Sequence, residues 1–190
     1  MIRYGASIEA HRRAHVAALH REMETLSGEL RGQGSGRMTL SYSCPGIGRD
    51  VTAISESDCR CLLGDAVEHN RERDTREGHT TVGPHRGDLG MFLDERPLSS
   101  YGSEGECRLA ALALRLAALR VMTQHHGEER AVVVLVDDVL GELDSAHREA
   151  LLRVVTQANQ VLLTATEVPV EMQRHTAMTY RLERGELSTV

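Results

Sequence analysis

The stretch Ala131-Val-Val-Val-Leu-Val-Asp-Asp-Val-Leu-Gly-Glu-Leu-Asp144 constrains this chain more than any other. An unbroken Val-rich run of this length predicts a strand buried on both faces of a parallel sheet. Ligands of open α/β sheets bind outside the carboxyl ends of such strands, which is where Asp137 and Asp138 fall. Adjacent carboxylates at a low-dielectric edge repel each other, and a divalent cation relieves that repulsion. Asp137 is therefore a candidate Mg²⁺ ligand and Asp138 a candidate for orienting water. A helix from about Ser145 to Ala158, with Leu151, Leu152 and Val155 inward, and a second buried strand at Gln160–Ala165 complete a βαβ unit.

A length of 190 residues allows one domain, or one with an appendage, and a real core. The net charge of −6 announces neither a nucleic-acid nor an anionic-membrane binder, so such a site would have to be a local patch. All 22 basic residues are arginine. The absence of lysine removes the phosphate-binding loop G-x-x-x-x-G-K-[ST], whose lysine reaches the terminal phosphates, and also Schiff-base chemistry. Cys59-Arg-Cys61 is too tightly spaced for a zinc knuckle, and with Cys44 and Cys107 it suits a reducing cytoplasm. No apolar run is long enough to span a bilayer, and the N-terminus lacks the apolar core of a signal peptide.

A helix is expected from about Ser7 to Leu30, with Val16, Leu19, Met23, Leu26 and Leu30 on a seam that suits either one amphipathic helix or a coiled coil. Arg31–Gly36 lies between a helix and a strand, the wrong order for a dinucleotide fingerprint, and reads as a turn. Arg37–Ser43 alternates as a half-buried strand. A helix should run from about Glu56 to Arg73, with Cys59, Leu62, Leu63, Ala66 and Val67 inward. The mixed charges of Asn70–Glu77 read as its solvated end. His79–Val82 and Leu89–Leu93 are strand candidates around the loop Gly83–Asp88, and Asp94–Pro97 is a turn. A metal site from His79, His85 and Asp88 is conceivable by residue type, although isolated loop histidines seldom ligate. Another helix reaches about Gln124, with Leu109, Leu112, Leu116 and Leu119 as its buried stripe. Met178–Leu187 suggests a hairpin turning at Arg184-Gly185.

Ser103-Glu-Gly-Glu106 opens that helix. Its plain reading is a capping box between Ser103 and Glu106; its functional reading is a helix N-terminus that could receive a terminal phosphate. Gly141-Glu-Leu-Asp144 precedes the next helix, which Asp144 could simply cap.

In this order and spacing, the three stretches resemble the second half of an ABC-type ATPase head. The resemblance assigns Ser103, Glu104, Gly105 and Glu106 to the signature sequence that covers nucleotide from across a dimer. It assigns Asp137 to the Walker B aspartate that holds Mg²⁺, and Asp138 to the place of the catalytic glutamate. Gly141, Glu142, Leu143 and Asp144 correspond to the D-loop, and Thr164 or Thr166 to the switch position. Thr81-Val-Gly-Pro-His-Arg-Gly-Asp-Leu89, Tyr101–Glu106 and Leu135–Asp144 together resemble the RecF family of bacterial recombinational repair.

That resemblance implies an α/β fold: the C-terminal part of an ABC-type head, with a parallel-sheet βαβ core and flanking helices, plus a helical arm segment. Residues 1–36 would be the returning arm helix and its turn, and 37–190 the C-terminal lobe of the head. It further implies ATP and Mg²⁺ as cofactors, DNA at single-/double-strand junctions as a partner, an ATP-dependent dimer or a Walker A-bearing partner, and recombination mediator proteins. The implied role is ATP-dependent DNA binding in gap repair and the SOS response, in the cytoplasm. Glu104 and Glu106 stand where the family has glutamines, adding negative charge where a phosphate would approach, and Gly87 replaces an aspartate. Without the phosphate-binding loop, the expectation is a truncated or split form that does not hydrolyse ATP alone. The alternative is a non-enzymatic interaction module built on the same scaffold.

Overall fold

A computed structural model describes residues 2–31, 36–49, 52–125, 131–168, 170, 172 and 178–189. The expected turn at 31–36 falls largely outside them. Two compact units, Met1–Val121 and Met122–Val190, make up the chain.

The first unit is organised by helix α1 (Ile2–Arg31), which begins earlier than the apolar pattern predicts. Its inward residues are Ile2, Ala6, Glu9, Arg13, Val16, His20, Met23, Ser27 and Leu30, all buried or half-buried. They alternate in steps of four and three, one continuous stripe on a helix. Leu26 is buried beside this stripe, and Leu19 is half-buried.

Strand β1 (Met38–Cys44) buries Met38, Leu40, Tyr42 and Cys44, the period of two expected of a half-buried strand. With β2 (Gly48–Arg49), β3 (Asp88–Leu93) and β4 (Arg96–Pro97) it forms an antiparallel sheet of order β2-β1-β3-β4. Over Met38–Tyr42 only one edge of β1 is paired, to β3. Polar side chains of α1 serve the other: the Met38 N–H donates to Ser27 Oγ at 2.9 Å and the Leu40 N–H to His20 Nδ1 at 3.2 Å. Backbone donors that would template aggregation are thereby satisfied. Asp94 and Glu95, at φ 47° and 65°, make the tight turn between β3 and β4.

Glu9 and Arg13 are almost wholly enclosed, at 0% and 1% exposure. Arg13 Nε donates to Glu9 Oε1 at 3.1 Å, Arg13 Nη2 to the Gly48 carbonyl at 2.8 Å, and Tyr42 Oη to Glu9 Oε2 at 3.0 Å. The Arg13 guanidinium also stands 5.5 Å from the Tyr42 ring centroid. Burial, followed by the Glu9 charge, pushes the neighbouring Cys44 thiol up to about 12, so this cysteine stays protonated and inert.

Helix α2 (Glu56–His69), capped by Ser55, packs on α1 through Cys59 and Leu63, which cluster with Ala6. Leu62, expected inward, is 42% exposed. Asn70 closes α2 and opens a separate exposed helix, α3 (Arg71–Glu77), where a single longer helix was expected. His79–Val82 is not a strand; the Thr81 N–H and Oγ1 bond Asp74 Oδ1 at 3.0 and 2.7 Å and hold it in a turn. After the short α4 (Leu98–Tyr101), helix α5 (Glu104–His125) buries Ala110, Ala113, Leu116, Ala117 and Val121. The leucine stripe is only partly realised, because Leu109, Leu112 and Leu119 stay half-exposed beside these alanines.

The second unit contains β5 (Val133–Asp137), α6 (Ser145–Val155) and β6 (Gln160–Thr164). β5 and β6 pair in parallel, with Asp137 opposite Thr164. Helix α6 buries Ala150, Leu151, Leu152, Val154 and Val155. Contrary to expectation, the two strands are not buried on both faces. Val134, Val136, Val161 and Leu163 turn inward, while Val133, Leu135 and Leu162 are 52%, 73% and 53% exposed. A two-stranded parallel sheet presents two faces, and the described residues cover only one. Strands β7 (Tyr180–Glu183) and β8 (Glu186–Thr189) form the expected exposed hairpin, turning at Arg184-Gly185 with φ of 51° and 86°. Among the described residues, no helix is long and apolar enough to cross a membrane.

Glu9→Ala is expected to destabilise the protein by about 3–5 kcal/mol, because it strands a buried guanidinium. Arg60→Ala, which breaks the exposed pair with Glu56, should cost under about 1 kcal/mol. Urea unfolding compares the two, and equal costs would contradict a buried role for the Glu9–Arg13 pair.

Candidate functional site

The carboxyl end of β5 gathers Asp137, Asp138 and Thr164. Parallel register places Thr164 beside Asp137, and its hydroxyl donates to Asp137 Oδ1 at 2.5 Å. The chain leaves the strand through Asp138, whose φ of 49° lies in the left-handed region. That conformation costs an L-residue about 1–2 kcal/mol, and least for Asp or Asn. It is held by Thr164 from two sides: the Asp138 N–H lies 3.1 Å from Thr164 Oγ1 and 3.2 Å from the Thr164 carbonyl. One hydroxyl thus accepts from the Asp138 amide while donating to the Asp137 carboxylate. Thr166 lies in a bend beyond the strand and makes no such bond.

Both aspartates are exposed, and among the described residues neither carboxylate meets a cationic side chain. Among the described residues no three His, Cys, Asp or Glu converge as a closed metal cage. Two exposed, adjacent carboxylates suit Mg²⁺, which takes one or two protein carboxylates and completes its shell with water and phosphate oxygens. The His79–His85–Asp88 cluster does not form. His79 turns to Glu77, while His85 Nε2 lies 3.2 Å from both the hydroxyl and the carbonyl of Thr80.

From Asp138 the chain makes a single 3₁₀ turn, Leu140–Glu142, anchored by the fully buried Leu140. Gly141 and Glu142 are exposed, and a Cβ at Gly141 would meet nothing. Asp144 caps α6, its Oδ1 accepting the His147 N–H at 2.9 Å. That backbone bond, and after it the His147 ring, hold the Asp144 carboxyl below its ordinary value. Arg148, which sequence reasoning passed over, donates from Nε to the carbonyls of Leu140 and Leu143 at 3.0 and 2.8 Å. An arginine one turn into a helix, directly behind a non-helical loop, was the available signal.

Ser103–Glu106, in the first unit, builds a complete capping box. Glu106 Oε2 accepts the Ser103 N–H at 2.9 Å and the Ser103 hydroxyl at 2.8 Å, while Ser103 Oγ lies 3.3 Å from the Glu106 N–H. Glu104 pairs with Arg108 at 2.7 Å. Gly102 is required by packing, since a Cβ there would come within 2.7 Å of the Leu98 carbonyl and 2.9 Å of Cys107 Sγ. Gly105 is different: it is exposed, and a Cβ there would meet nothing within 4 Å. Among the described residues, no contact demands glycine at that position.

In fold, the chain corresponds to part of an ABC-type ATPase head. It superposes over its whole length on two structures of the recombination mediator protein RecF in the RecFOR pathway, described as RecF-ATP and RecF-ATPrS. The TM-scores are 0.76 and 0.74, at 23% identity and 48% of those chains. A structure concerned with ATP-driven dimerization and DNA-stimulated activation of SMC ATPases aligns over 93% of this chain and 84% of its own, at TM-score 0.51 and 15% identity. No protein-family model matches. Among curated sequences, DNA replication and repair protein RecF of Symbiobacterium thermophilum is 36% identical over 80% of this chain and 40% of its own length. RecF of Geobacter sulfurreducens is 29% identical over 98% of this chain and 50% of its own, and RecF of Frankia alni 41% identical over 62% and 30%. The chain belongs to the RecF family and matches the C-terminal part of its members. It spans half or less of the length of these curated relatives.

Asp144→Ala should cost about 1 kcal/mol at neutral pH. Because the folded carboxyl titrates below its ordinary value, this stability is present above the unfolded pKa and lost as pH falls through the folded one. Urea midpoints of wild type and variant should therefore converge in acid. A gap that persists there would show that the cap does not act through the ionised carboxylate.

Proposed function

We propose that this chain supplies the signature, Walker B and D-loop part of a RecF-type ATPase head that acts on DNA in replication and repair in the cytoplasm. The observation that carries this is the bridged pair at the end of β5: Thr164 Oγ1 holds the Asp137 carboxylate and the Asp138 amide together, with both carboxylates exposed at the site expected for phosphate chemistry. Asp137 fits a Walker B ligand, where bound Mg²⁺ would neutralise charge on the phosphates of ATP. Asp138, turned out by its left-handed backbone, would accept a proton from the attacking water or orient it. Thr164, rather than Thr166, suits the switch, because it alone touches the acids. Gly141–Asp144 would be the D-loop, with Arg148 positioning its backbone. Ser103 and Gly105 would face the γ-phosphate across a dimer, Gly105 leaving the space that a close-approaching phosphate needs. Glu104 and Glu106 are turned to local use, in an ion pair and a cap respectively. Residues 1–36 would be the returning helix of the arm, and 37–190 the C-terminal lobe. No Walker A lysine lies within these 190 residues, so hydrolysis would need that loop from outside them, and the family's DNA junctions and mediator proteins would be the partners. The acidic signature favours one other reading, a scaffold that binds a partner subunit without hydrolysis.

Asp138→Asn in the intact protein should leave Mg-ATP binding in place and lower hydrolysis by about a hundredfold or more. Gly105→Ala should leave stability unchanged, or raise it by up to about 1 kcal/mol, yet reduce hydrolysis. Binding by isothermal titration and turnover by phosphate release separate these effects. Wild type that binds no nucleotide, or an Asp138 variant with undiminished turnover, would favour the scaffold.

A further inference from the structure

Helix α1 carries His11, His15 and His20, and of these His20 alone lies on the inward stripe, half-buried against β1. Both of its ring nitrogens meet partners. Nε2 stands 3.1 Å from Glu24 Oε1, one turn along the helix. Nδ1 stands 3.2 Å from the Leu40 nitrogen and 3.1 Å from the Leu40 carbonyl oxygen. It can serve only one of these two at a time, because a ring nitrogen holds either a lone pair or a proton.

Glu24 decides the order in which they are served. An ionised carboxylate only accepts, so the nitrogen that faces it carries the proton of the neutral ring. In that state Nε2–H donates to Glu24, and the lone pair of Nδ1 accepts the Leu40 N–H. A second proton must then land on Nδ1, where it turns an acceptor into a donor. The Leu40 N–H loses its partner, and the Leu40 carbonyl gains one. Among the described residues, the charged groups bonded at His20 are Glu24 and, through it, Arg37, which precedes β1 and reaches the same Glu24 oxygen at 2.5 Å. Arg120 of α5 is held instead by Glu22 and Glu29. Glu24 favours the charged ring, and Arg37 opposes it.

We propose that His20 is a pH-sensitive switch on the edge of β1, holding the Leu40 N–H when neutral and the Leu40 carbonyl when charged. Histidine is the side chain suited to this, since its charge changes near physiological pH. The exchange is confined to one residue of the strand. Two residues back, the Met38 N–H donates to Ser27 Oγ, a hydroxyl that does not titrate. Acid therefore opens a single backbone donor on an edge that α1 otherwise seals, and it does so without unfolding the helix. The switch lies wholly in the first unit and takes no part in the nucleotide site.

NMR of the chain provides the test. Long-range proton–nitrogen spectra of the neutral ring should show the Nε2–H tautomer. Protection of the Leu40 amide from hydrogen exchange, corrected for the intrinsic rate, should fall about three- to tenfold as His20 titrates, the loss of one hydrogen bond. Protection of the Met38 amide should stay constant over the same range. These readouts use the unaltered chain, so they hold whatever a substitution does to folding. His20→Gln, whose side-chain oxygen accepts an N–H at any pH, should abolish the change at Leu40. An Nδ1–H tautomer in the neutral ring would overturn the proposal. So would Leu40 protection that ignores the His20 titration, that falls together with Met38, or that still falls in His20→Gln.

Discussion

The first unit depends on one buried ion pair. Glu9 and Arg13 lie on the inward stripe of α1, where an apolar side chain would ordinarily sit. Their bonds reach β1 through Tyr42 and β2 through the Gly48 carbonyl. Replacing a buried ion pair by well-packed apolar residues is often neutral or stabilising, so the pair is poorly explained as a source of strength. Direction explains it better. Apolar contacts would let α1 slide or rotate on the sheet at little cost, whereas a guanidinium and a carboxylate with assigned partners accept one register only. His20 and Ser27 extend the same logic along β1, each meeting a backbone N–H.

Those polar positions also mark where sequence reading stopped. Of the apolar members of the stripe, Val16, Met23 and Leu30 were visible, whereas Ile2 and Ala6 precede the expected helix start; Glu9, Arg13, His20 and Ser27 complete the same alternation but read as solvent-facing by residue type. Their burial depends on partners distant in sequence, which no local pattern contains. The run 131–136 erred in the opposite direction. Its apolar composition implied two covered faces, yet Leu135 and Leu162 point to solvent. Composition records what a strand can tolerate, and coverage depends on the strands available to flank it. Turns and caps were the most legible features, because their chemistry is local: Asp144 on α6, Ser103 with Glu106 on α5, and Arg184-Gly185 in the last hairpin.

At the candidate site, the substitutions against the family pattern become intelligible once bonds are assigned. Glu106 supplies a charged acceptor to both the amide and the hydroxyl of Ser103, and a carboxylate at a helix N-terminus is stabilised there by the helix dipole. The same charge would oppose an arriving phosphate, so local stability and ligand attraction conflict within one side chain. Arg148 shows the opposite economy. By binding two loop carbonyls with one Nε–H, it shapes the turn that leads from Asp138 to α6.

Thr164 has a consequence of its own. Its hydroxyl carries a single proton, which is given to Asp137, while its lone pairs receive the Asp138 amide. Neither bond can be kept if β6 shifts along β5, since both meet the same oxygen atom. The two acids therefore cannot be repositioned one at a time. Whatever moves this strand moves both together.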